Sequence, residues 1–511
     1  MRSFFFFCLF FLEISYSYSQ YRPSYLKNIK SVHVEKPDSL AAFPGRKKLI
    51  NLISASDSCD LLKNASWGIM VADANSGKVI AAHNQKMLLI PASLMKSITT
   101  GVGYLQMGSD FRFKTKLEYS GTITKDSVLK GDLIIVGGGD PTTCCFRWAQ
   151  TYPDTIFSQF TAKLKDIGIR KIEGKIVSNK SIFDDLQMAP NWQWNDMGNY
   201  YGAGASALAF NENIIHVWLH SPDSIGMPTT LDSVFPVIPN IEYRNYVVSA
   251  ASNTGDNVVI YSSPNSNIIE LRGSIPLGQS SFLVKGANFH PEYSFMLAFN
   301  NYLVNHGVIT NNEYGEISHR TPTDTNAANK LIYTYYSPSY NTIASFTNKV
   351  SHNMFAEAIL KTLGYRRFGL GSYYNGVRAV DAALSKQGIS QSEMINVDGS
   401  GLSRNNLVTP EFICKYMRMM YKSGSYGIFV HSLPEAGESG TIGRMFKGTA
   451  AAHNLRAKSG SIERVRSYGG YVTNRNGKLL TFALIINNFN ERSSAIRDLM
   501  EKLMIAIADS D

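Results

Sequence analysis

The 511-residue chain is poor in cysteine, in long apolar runs and in clustered charge, and each absence excludes a class of protein. Its five cysteines form no C-x-x-C pair, so no zinc motif is present, and a chain of this length needs no disulfide to stabilise its core. No apolar stretch reaches the roughly 20 residues that span a bilayer as a helix. The 50 Lys and Arg exceed the 40 Asp and Glu, giving a formal charge of +10, but no basic run marks a nucleic-acid-binding tail.

The first 19 residues have the three-part pattern of a secretory signal peptide. Arg2 precedes an apolar run from Phe4 to Leu12, and small and polar residues follow, so we expect cleavage near Ser19–Gln20. The exported chain then keeps four cysteines: Cys59, Cys144, Cys145 and Cys414. Adjacent cysteines rarely close a bridge on each other, and the sequence leaves the disulfide state of Cys144 and Cys145 open.

Periodicity predicts both helices and strands, which indicates a mixed fold. Two β-rich hairpins are predicted, one near each end of the folded part, and the second precedes an amphipathic helix. Between them, from about 111 to 330, short β-prone runs alternate with clusters of Asn, Ser, Gly and Pro. The predicted hairpin strands are 67–73, 78–82, 467–472 and 478–486, and the predicted helices are 49–63, 91–107, 155–167, 339–349 and 351–363.

The stretch Ser93-Leu-Met-Lys96 lies at the start of a predicted helix, where residues three apart share a face. The Lys96 amine can therefore reach the Ser93 hydroxyl and act as the base that a serine nucleophile needs. This requires that burial or a neighbouring cation lowers the pKa of the lysine. Composition alone gives about one or two such pairs in a chain of this length, so the motif by itself indicates only a helix start.

Two further motifs follow in the C-terminal third. Ser351-His-Asn353 offers a hydroxyl that can relay a proton and an amide that can hold a peptide carbonyl, although a serine here is more commonly a helix N-cap. His352 is predicted to point away from its two neighbours. Lys458-Ser-Gly-Ser461 offers a cation, two hydroxyls and a glycine that lets a substrate approach the edge of a strand. The alternative interpretation of this stretch is a surface turn.

The order S-x-x-K, S-x-N, K-[TS]-G is the signature of serine penicillin-recognising enzymes. The sequence resembles the class C low-molecular-mass penicillin-binding proteins, the D-alanyl-D-alanine carboxypeptidase/endopeptidases of the DacB type. The gap of 258 residues from Ser93 to Ser351 is typical of that family and longer than in class A β-lactamases. Further similar stretches are Gly131–Leu133, Gly137–Pro141, Trp192–Asp196, Asp398–Arg404 and Leu433–Ile442, so the likeness runs from about 66 to 488. The family usually has Thr where this chain has Ser459 and Ser461, but both hydroxyls remain.

The resemblance implies an α+β fold in which a penicillin-recognising, transpeptidase-like domain is split by a large, strand-rich insertion. That domain has an antiparallel sheet flanked by helices and a helical subdomain. The expected organisation is a signal peptide at 1–19, a flexible leader at 20–48, a catalytic domain at 49–110 and 331–511, and inserted domains at 111–330. A small β domain is expected within the insertion at about 205–282.

The resemblance also implies the role of each motif residue. Ser93 attacks the carbonyl between two D-alanines, and Lys96 accepts its proton while Lys458 repels a charge on Lys96. Ser351 and Lys458 pass a proton to the leaving amine. Asn353 holds a substrate amide, and the Lys458–Ser461 strand supplies Ser459, Gly460 and Ser461 for substrate binding, with the Ser93 and Ser461 N–H groups as oxyanion hole. The insertion is expected to help select the diaminopimelate side chain, with 178–185 as a candidate stretch.

These expectations describe an exported, periplasmic or envelope serine D-Ala-D-Ala carboxypeptidase that acts on peptidoglycan stem peptides and is trapped by β-lactams. A second version of the hypothesis adds endopeptidase activity on peptide cross-links. The alternatives are a β-lactamase or esterase on the same fold and a weakly active scaffold that binds cell-wall peptide. No cofactor, metal, nucleic acid or stable transmembrane segment is expected, and the sequence leaves the oligomeric state open.

Overall fold

The computed structural model describes residues 44–321 and 329–511. The α-helices of these residues are α1 (Pro44–Asp57), α2 (Met95–Met107), α3 (Pro153–Asp166), α4 (Trp194–Met197), α5 (Pro291–Asn305), α6 (Tyr340–Val350), α7 (Asn353–Phe368), α8 (Tyr373–Lys386), α9 (Pro410–Lys422), α10 (Tyr426–Ser432) and α11 (Ser493–Ala508).

The strands up to the middle of the chain are β1 (Ser66–Asp73), β2 (Val79–His83), β3 (Lys114–Tyr119), β4 (Thr122–Ile123), β5 (Val128–Lys130), β6 (Leu133–Val136), β7 (Lys171–Ile172), β8 (Ile176–Asn179), β9 (Ile214–His220), β10 (Thr230–Phe235) and β11 (Glu242–Ala250). The remaining strands are β12 (Val259–Tyr261), β13 (Ile268–Pro276), β14 (Phe282–Ala287), β15 (Tyr314–Ile317), β16 (Lys330–Tyr336), β17 (Met394–Ile395), β18 (Leu407–Val408), β19 (Arg456–Ile462), β20 (Val465–Thr473) and β21 (Leu479–Asn487).

A central antiparallel sheet joins two distant parts of the sequence. Its strand order is β19-β20-β21-β1-β2, and both predicted hairpins, β1–β2 and β20–β21, are present. β1 pairs with β21 along its whole length, from Ser66 opposite Asn487 to Asp73 opposite Leu480. The sheet therefore brings the N-terminal hairpin against the C-terminal strands, across the long middle of the chain.

Helices cover both faces of this sheet. On one face, α11 buries the apolar stripe that its 3,4 spacing predicts, with Ile496, Met500 and Leu503 in a core shared with α1. On the other face, α9 packs on β1, β20 and β21. Because both faces are covered, β21 is buried at nearly every position and lacks the alternation of a half-exposed strand. The predicted α+β class, with an antiparallel sheet between helices, is confirmed.

A helical group stands beside the sheet and positions the start of α2. Helix α2 packs against α6, α7 and α8, and the short turn before α2 packs on β19 and β20. The N-terminal end of α2, the junction between α6 and α7, and strand β19 are thereby brought to one place. Among the described residues, no helix combines the length and apolar character that crossing a membrane requires.

The middle of the chain builds separate sheets. One has the order β15-β8-β6-β3-β16, and two three-stranded sheets, β10-β9-β14 and β11-β13-β12, enclose a core of their own. We propose that these two sheets form the nested β domain, extending to Ala287. Since β16 pairs with β3, we also propose that the chain returns to the catalytic domain after Tyr336 rather than at residue 330.

The first described helix starts earlier than the sequence predicts. The predicted signal peptide at 1–19, like residues 20–43 of the predicted leader, lies outside the described residues. Residues 44–48, which were expected in the leader, form the first turn of α1. Pro44 suits the first helical position, and the Arg46 N–H donates a 2.8 Å hydrogen bond to the side chain of Asp511, which ties this polar turn to the C-terminal residues.

Candidate active site

Ser93 lies in a single 3₁₀ turn, Ala92–Leu94, which runs directly into α2. The Lys96 Nζ donates a hydrogen bond of 2.8 Å to the Ser93 Oγ, as the i,i+3 spacing predicts. The turn is tightly constrained: Ala92 has a left-handed φ of 46°, and a Cβ on Gly401 would lie 1.9 Å from the Ala92 carbonyl oxygen. The Ser93 hydroxyl is therefore held in one place, with the lysine amine beside it.

The Lys96 side chain is buried in a polar pocket made by a loop that follows α8. Its Nζ also donates a 2.7 Å hydrogen bond to the Ser400 carbonyl oxygen. Two buried carboxylates hold this loop: Glu357 accepts two backbone N–H groups, and Asp398 accepts two others and the indole N–H of Trp192. Because the loop cannot shift without losing these bonds, it fixes the position of the amine.

Burial makes both lysines of the site poor cations. It lowers the pKa of Lys96 to about 7, although the negative charges of Glu357 and Asp398 act to raise it. Burial also lowers the pKa of Lys458 well below its ordinary value, and the charge of Lys96 lowers it further. The sequence left burial and a neighbouring cation open as the cause of the lowered Lys96 pKa, with Lys458 expected to help; burial is the largest cause here.

The second motif spans a junction between two helices. Ser351 ends α6 in the left-handed conformation, with φ 62°, and Asn353 begins α7. The Lys458 Nζ donates a 2.9 Å hydrogen bond to the Ser351 Oγ, and the Asn353 Nδ2 donates a 2.7 Å hydrogen bond to the Tyr201 carbonyl oxygen. The alternative in which Ser351 caps α7 is wrong, because His352 occupies that N-cap position.

The third motif lies in β19, at the edge of the central sheet, and is not a surface turn. A Cβ on Gly460 would lie 2.3 Å from the Pro91 carbonyl oxygen and 3.0 Å from the Leu94 nitrogen. Only glycine therefore lets the strand pack this closely on the turn that carries Ser93. The Ser459 Oγ donates a 2.6 Å hydrogen bond to the Thr441 Oγ1.

A cleft of about 470 Å³ lies over these residues. Five of the eight residues proposed from the sequence line it: Ser93, Ser351, Asn353, Ser459 and Ser461. The other three, Lys96, Lys458 and Gly460, are buried beneath its floor, where the two lysines are 0% exposed. The structure thus brings together all three motifs around the Ser93 hydroxyl.

The opposite wall of the cleft comes from the middle of the chain and from the loop after α8. It includes Asp196, Tyr201 and Arg404. The stretch 178–185 does not line this cleft: it turns away, with Phe183 buried against Gly139 and Gly371 and with Asp184 paired to Lys361 at 2.8 Å. The sequence signal for this wall was present in Trp192–Asp196: Gln193, Asn195 and Asp196 line the cleft, while Trp192 is buried and bonded to Asp398.

Two smaller expectations concern the region before α3. The Gly137–Pro141 stretch leads into a turn at 141–144, and Asp140 accepts a 2.8 Å hydrogen bond from the Thr142 N–H of that turn. Cys144 and Cys145 are buried free thiols, as is Cys414, while Cys59 is free and half-buried. Burial raises the pKa of Cys145 to about 12, so this thiol is held in its unreactive form.

Comparison with solved structures shows that this chain shares its fold with a penicillin-binding protein. The crystal structure of penicillin binding protein 4 (dacB) from Haemophilus influenzae superposes with a TM-score of 0.75 at 22% identity, covering 91% of this chain and 99% of that one. A second structure of that protein, complexed with a β-lactam, gives a TM-score of 0.71. The shared architecture includes the middle of the chain, since the alignments cover both proteins almost completely.

The sequence comparisons identify the family to which the chain belongs. A model of the D-Ala-D-Ala carboxypeptidase 3 (S13) family matches residues 50–507, and the chain belongs to this family. It is 26% identical over 437 residues to the D-alanyl-D-alanine carboxypeptidase of Actinomadura sp. (strain R39), covering 83% of this chain and 78% of that protein. It is 26% identical over 448 residues to D-alanyl-D-alanine carboxypeptidase DacB of Haemophilus influenzae, covering 86% and 89%. The predicted serine-type D-Ala-D-Ala carboxypeptidase class is confirmed.

Proposed function

We propose that this carboxypeptidase removes the terminal D-alanine from peptidoglycan stem peptides through an acyl-enzyme on Ser93. The observation that carries the proposal is the 2.8 Å hydrogen bond between the Ser93 Oγ and a buried Lys96 amine whose pKa lies near 7. A lysine with this pKa exists partly as the free amine at neutral pH and can accept the serine proton. The Ser400 carbonyl oxygen orients that amine towards the hydroxyl.

In the first half of the reaction, the Ser93 Oγ attacks the carbonyl between the two D-alanines while its proton moves to Lys96. The backbone N–H groups of Ser93 and Ser461 stabilise the oxyanion, a contribution of about 3 kcal/mol per donor in other acyl-transfer enzymes. Lys458 and Ser351, joined by a 2.9 Å hydrogen bond, then protonate the departing D-alanine amine as the peptide C–N bond breaks. The peptide remains bound to Ser93 as an ester.

In the second half, water attacks the ester carbonyl and gives a proton to Lys458 through Ser351, while the bond from the carbonyl to the Ser93 Oγ breaks and Ser93 regains its proton from Lys96, which releases the shortened peptide. Asn353 holds a substrate amide, while the hydroxyls of Ser459 and Ser461 bind the terminal carboxylate of the substrate. A β-lactam resembles the D-Ala-D-Ala end of the substrate. When Ser93 opens its ring, the amine that would otherwise depart stays attached to the acyl group on Ser93. We therefore propose that β-lactams inhibit the enzyme covalently.

We further propose that Asp196 and Arg404 recognise the amino and carboxylate groups at the end of the substrate's diaminopimelate side chain. Both residues line the cleft. Burial raises the pKa of Asp196, while the positive charge of Arg404 acts to lower it. The Arg404 guanidinium is positioned by a 3.0 Å hydrogen bond to the Glu463 carbonyl oxygen and by a bond to Gln193, and a substrate carboxylate would compete with the Glu463 carboxylate, 3.8 Å away, for its charge.

Replacing Arg404 with Gln is expected to lower kcat/KM about 10- to 100-fold for a peptide with a free diaminopimelate end, because one charge-assisted hydrogen bond is worth about 1.5–3 kcal/mol. For a D-Ala-D-Ala peptide with an uncharged side chain, kcat/KM should fall less than threefold. Arg464→Gln, which removes an exposed guanidinium bonded to Asn490, is the matched control. Steady-state kinetics with both peptides measure the difference, and equal losses for both would contradict this assignment.

Cutting of peptide cross-links is a second proposed activity. Its support is a second cavity of about 470 Å³ that borders the cleft and shares Tyr200, Tyr201, Ser351 and Asn353 with it. A cross-linked substrate carries a second peptide in place of the leaving D-alanine and needs such additional room. Digestion of purified sacculi, followed by product masses, separates release of D-alanine alone from resolution of cross-linked dimers.

Turnover of a peptide ending in D-Ala-D-Ala tests the principal activity. We expect the purified protein to release one D-alanine per peptide and to stop when the second D-alanine is exposed. Failure to release D-alanine despite penicillin labelling would favour the scaffold alternative, and fast, complete hydrolysis of penicillin would favour a β-lactamase. We place the enzyme in the periplasm or cell envelope, exported by the signal peptide expected at 1–19.

A further inference from the structure

A strained turn lies directly behind the second motif. Asn211, Glu212 and Asn213 are three consecutive non-glycine residues with positive φ, at 49°, 57° and 53°. Left-handed backbone costs roughly 1–2 kcal/mol for such a residue, and a run of three persists only where the surroundings determine it. All three residues are buried, and strain of this kind concentrates at functional sites.

The turn is fixed from several sides. The Asn213 side chain donates a 2.8 Å hydrogen bond to the Gly204 carbonyl oxygen, and its Oδ1 accepts from the Phe210 N–H at 3.1 Å. The Asn211 side chain donates to the Ile214 carbonyl oxygen at 3.2 Å. These contacts use both amide side chains to stabilise the backbone and leave only the central residue, Glu212, to point elsewhere.

The Glu212 carboxylate reaches the middle residue of the Ser351-His-Asn353 motif. The His352 Nε2 donates to the Glu212 Oε2 at 2.9 Å, and Arg147 binds the same carboxylate through its Nε and its Nη2. The Glu212 side chain is 7% exposed and the His352 side chain 15% exposed. Although burial acts to raise it, these hydrogen bonds lower the pKa of Glu212 to about 2, so the carboxylate remains charged.

The same segment of chain holds the next residue of the motif. The Tyr201 carbonyl oxygen accepts the Asn353 side chain at 2.7 Å, and Tyr201 lies eleven residues before Glu212. On its other side, the His352 ring packs against Phe346 of α6 and Phe355 of α7, with centroid distances of 5.9 and 4.3 Å. The histidine ring is thus held between α6, α7 and the segment that carries Glu212.

We propose that Glu212 is a positioning residue, which acts through His352 to hold Ser351 and Asn353 in their working geometry. The inserted part of the chain thereby completes the second motif rather than only bordering the cleft. Ser351 is left-handed and lies between two helices, so neither helix alone fixes its orientation. This inference rests on the proposed function, in which Ser351 and Asn353 act on the substrate.

Glu212→Gln tests the inference, because it keeps the size of the side chain and removes its charge. We expect the rate constant for acylation by a fluorescent penicillin, measured at saturation and per folded molecule, to fall about 10- to 100-fold, since displacement by about 1 Å costs this much. Glu212→Asp, which keeps the charge, should recover part of the rate. A Gln variant that lowers the melting temperature but retains the wild-type saturating rate would overturn the proposal.

A double-mutant cycle separates positioning from general loss of structure. If Glu212 acts through His352, the double variant Glu212→Gln/His352→Gln should be no slower than the slower single variant, whereas additive losses would contradict the inference. Glu292→Gln is the matched control: Glu292 is another buried carboxylate of the middle region, bonded to Ser206, and its loss should leave the acylation rate within threefold of wild type. Wild-type protein that takes no label at all would instead contradict the proposed function.

Discussion

Replacing Ser93 with Ala is expected to abolish covalent labelling by a fluorescent penicillin and to reduce D-alanine release by about 10⁴- to 10⁶-fold. Ser93 is the only residue for which the proposed mechanism has no substitute, since the acyl group is carried on its oxygen. Loss of a nucleophile in a comparable serine hydrolase has an effect of this size. Gel fluorescence after labelling and a coupled D-alanine assay measure the two losses.

Ser97 provides the control on the same helix. Its hydroxyl is buried and donates a 2.7 Å hydrogen bond to the Leu94 carbonyl oxygen, one turn further from the cleft. Ser97→Ala should therefore keep the label and most of the activity, at a modest cost in stability. Label on Ser93→Ala equal to that on the wild type would show that another residue carries the acyl group.

Local sequence patterns predicted those elements of the fold whose formation depends on residues close together in the chain. The hairpin β20–β21 follows from two β-rich runs that flank a short polar turn, and the buried face of α11 follows from the 3,4 spacing of Ile496, Met500 and Leu503. The boundary that we propose after Tyr336 has no such local signal, because it rests on the pairing of β16 with β3, more than 200 residues earlier in the chain. Pairing at that separation leaves no local signal.

In the active site too, residues that are close together in sequence could be predicted, whereas partners that are distant in sequence could not. The motif residues could be identified because each pair is close in sequence, as Ser93 and Lys96 are. The groups that control them could not: Glu357 and Asp398 hold the Ser400 carbonyl against Lys96 from more than 250 residues away. In the sequence, Glu357 is one acidic residue within a helix, and nothing in its neighbours indicates that it is buried.

This arrangement explains how one lysine can remain both buried and functional. An isolated ammonium in such a pocket would lose its proton altogether, because burial disfavours the charged form. The negative charges of Glu357 and Asp398 counteract this effect, although burial also raises the pKa of Glu357, and the pKa of Lys96 lies at about 7. Lys96 and Lys458 disfavour simultaneous positive charges, because burial and the charge of Lys96 both lower the pKa of Lys458. Two lysines with lowered pKa values can thus exchange protons with hydroxyl groups at neutral pH.

The acylation rate is therefore expected to depend on pH through the proton on Lys96. The free amine is the active form, so the rate constant should rise as the pH increases through about 7 and level off above it. At pH 5.5 the free amine is about 3% of the total for a pKa of 7, which predicts a rate about 30-fold below the plateau. Stopped-flow acylation by a chromogenic cephalosporin between pH 5 and 9 measures this profile.

Substitution of the lysine assigns the profile to this residue. Lys96→Arg keeps a cation that does not deprotonate in this pH range, so acylation should fall by about 10³-fold or more at every pH. Lys361→Arg is the matched control, because Lys361 is also fully buried but its Nζ is paired with Asp184 and donates a 2.9 Å hydrogen bond to the Leu186 carbonyl oxygen. It should retain the rising profile with its midpoint near 7. A wild-type rate that does not change between pH 5 and 9 would contradict Lys96 as the base.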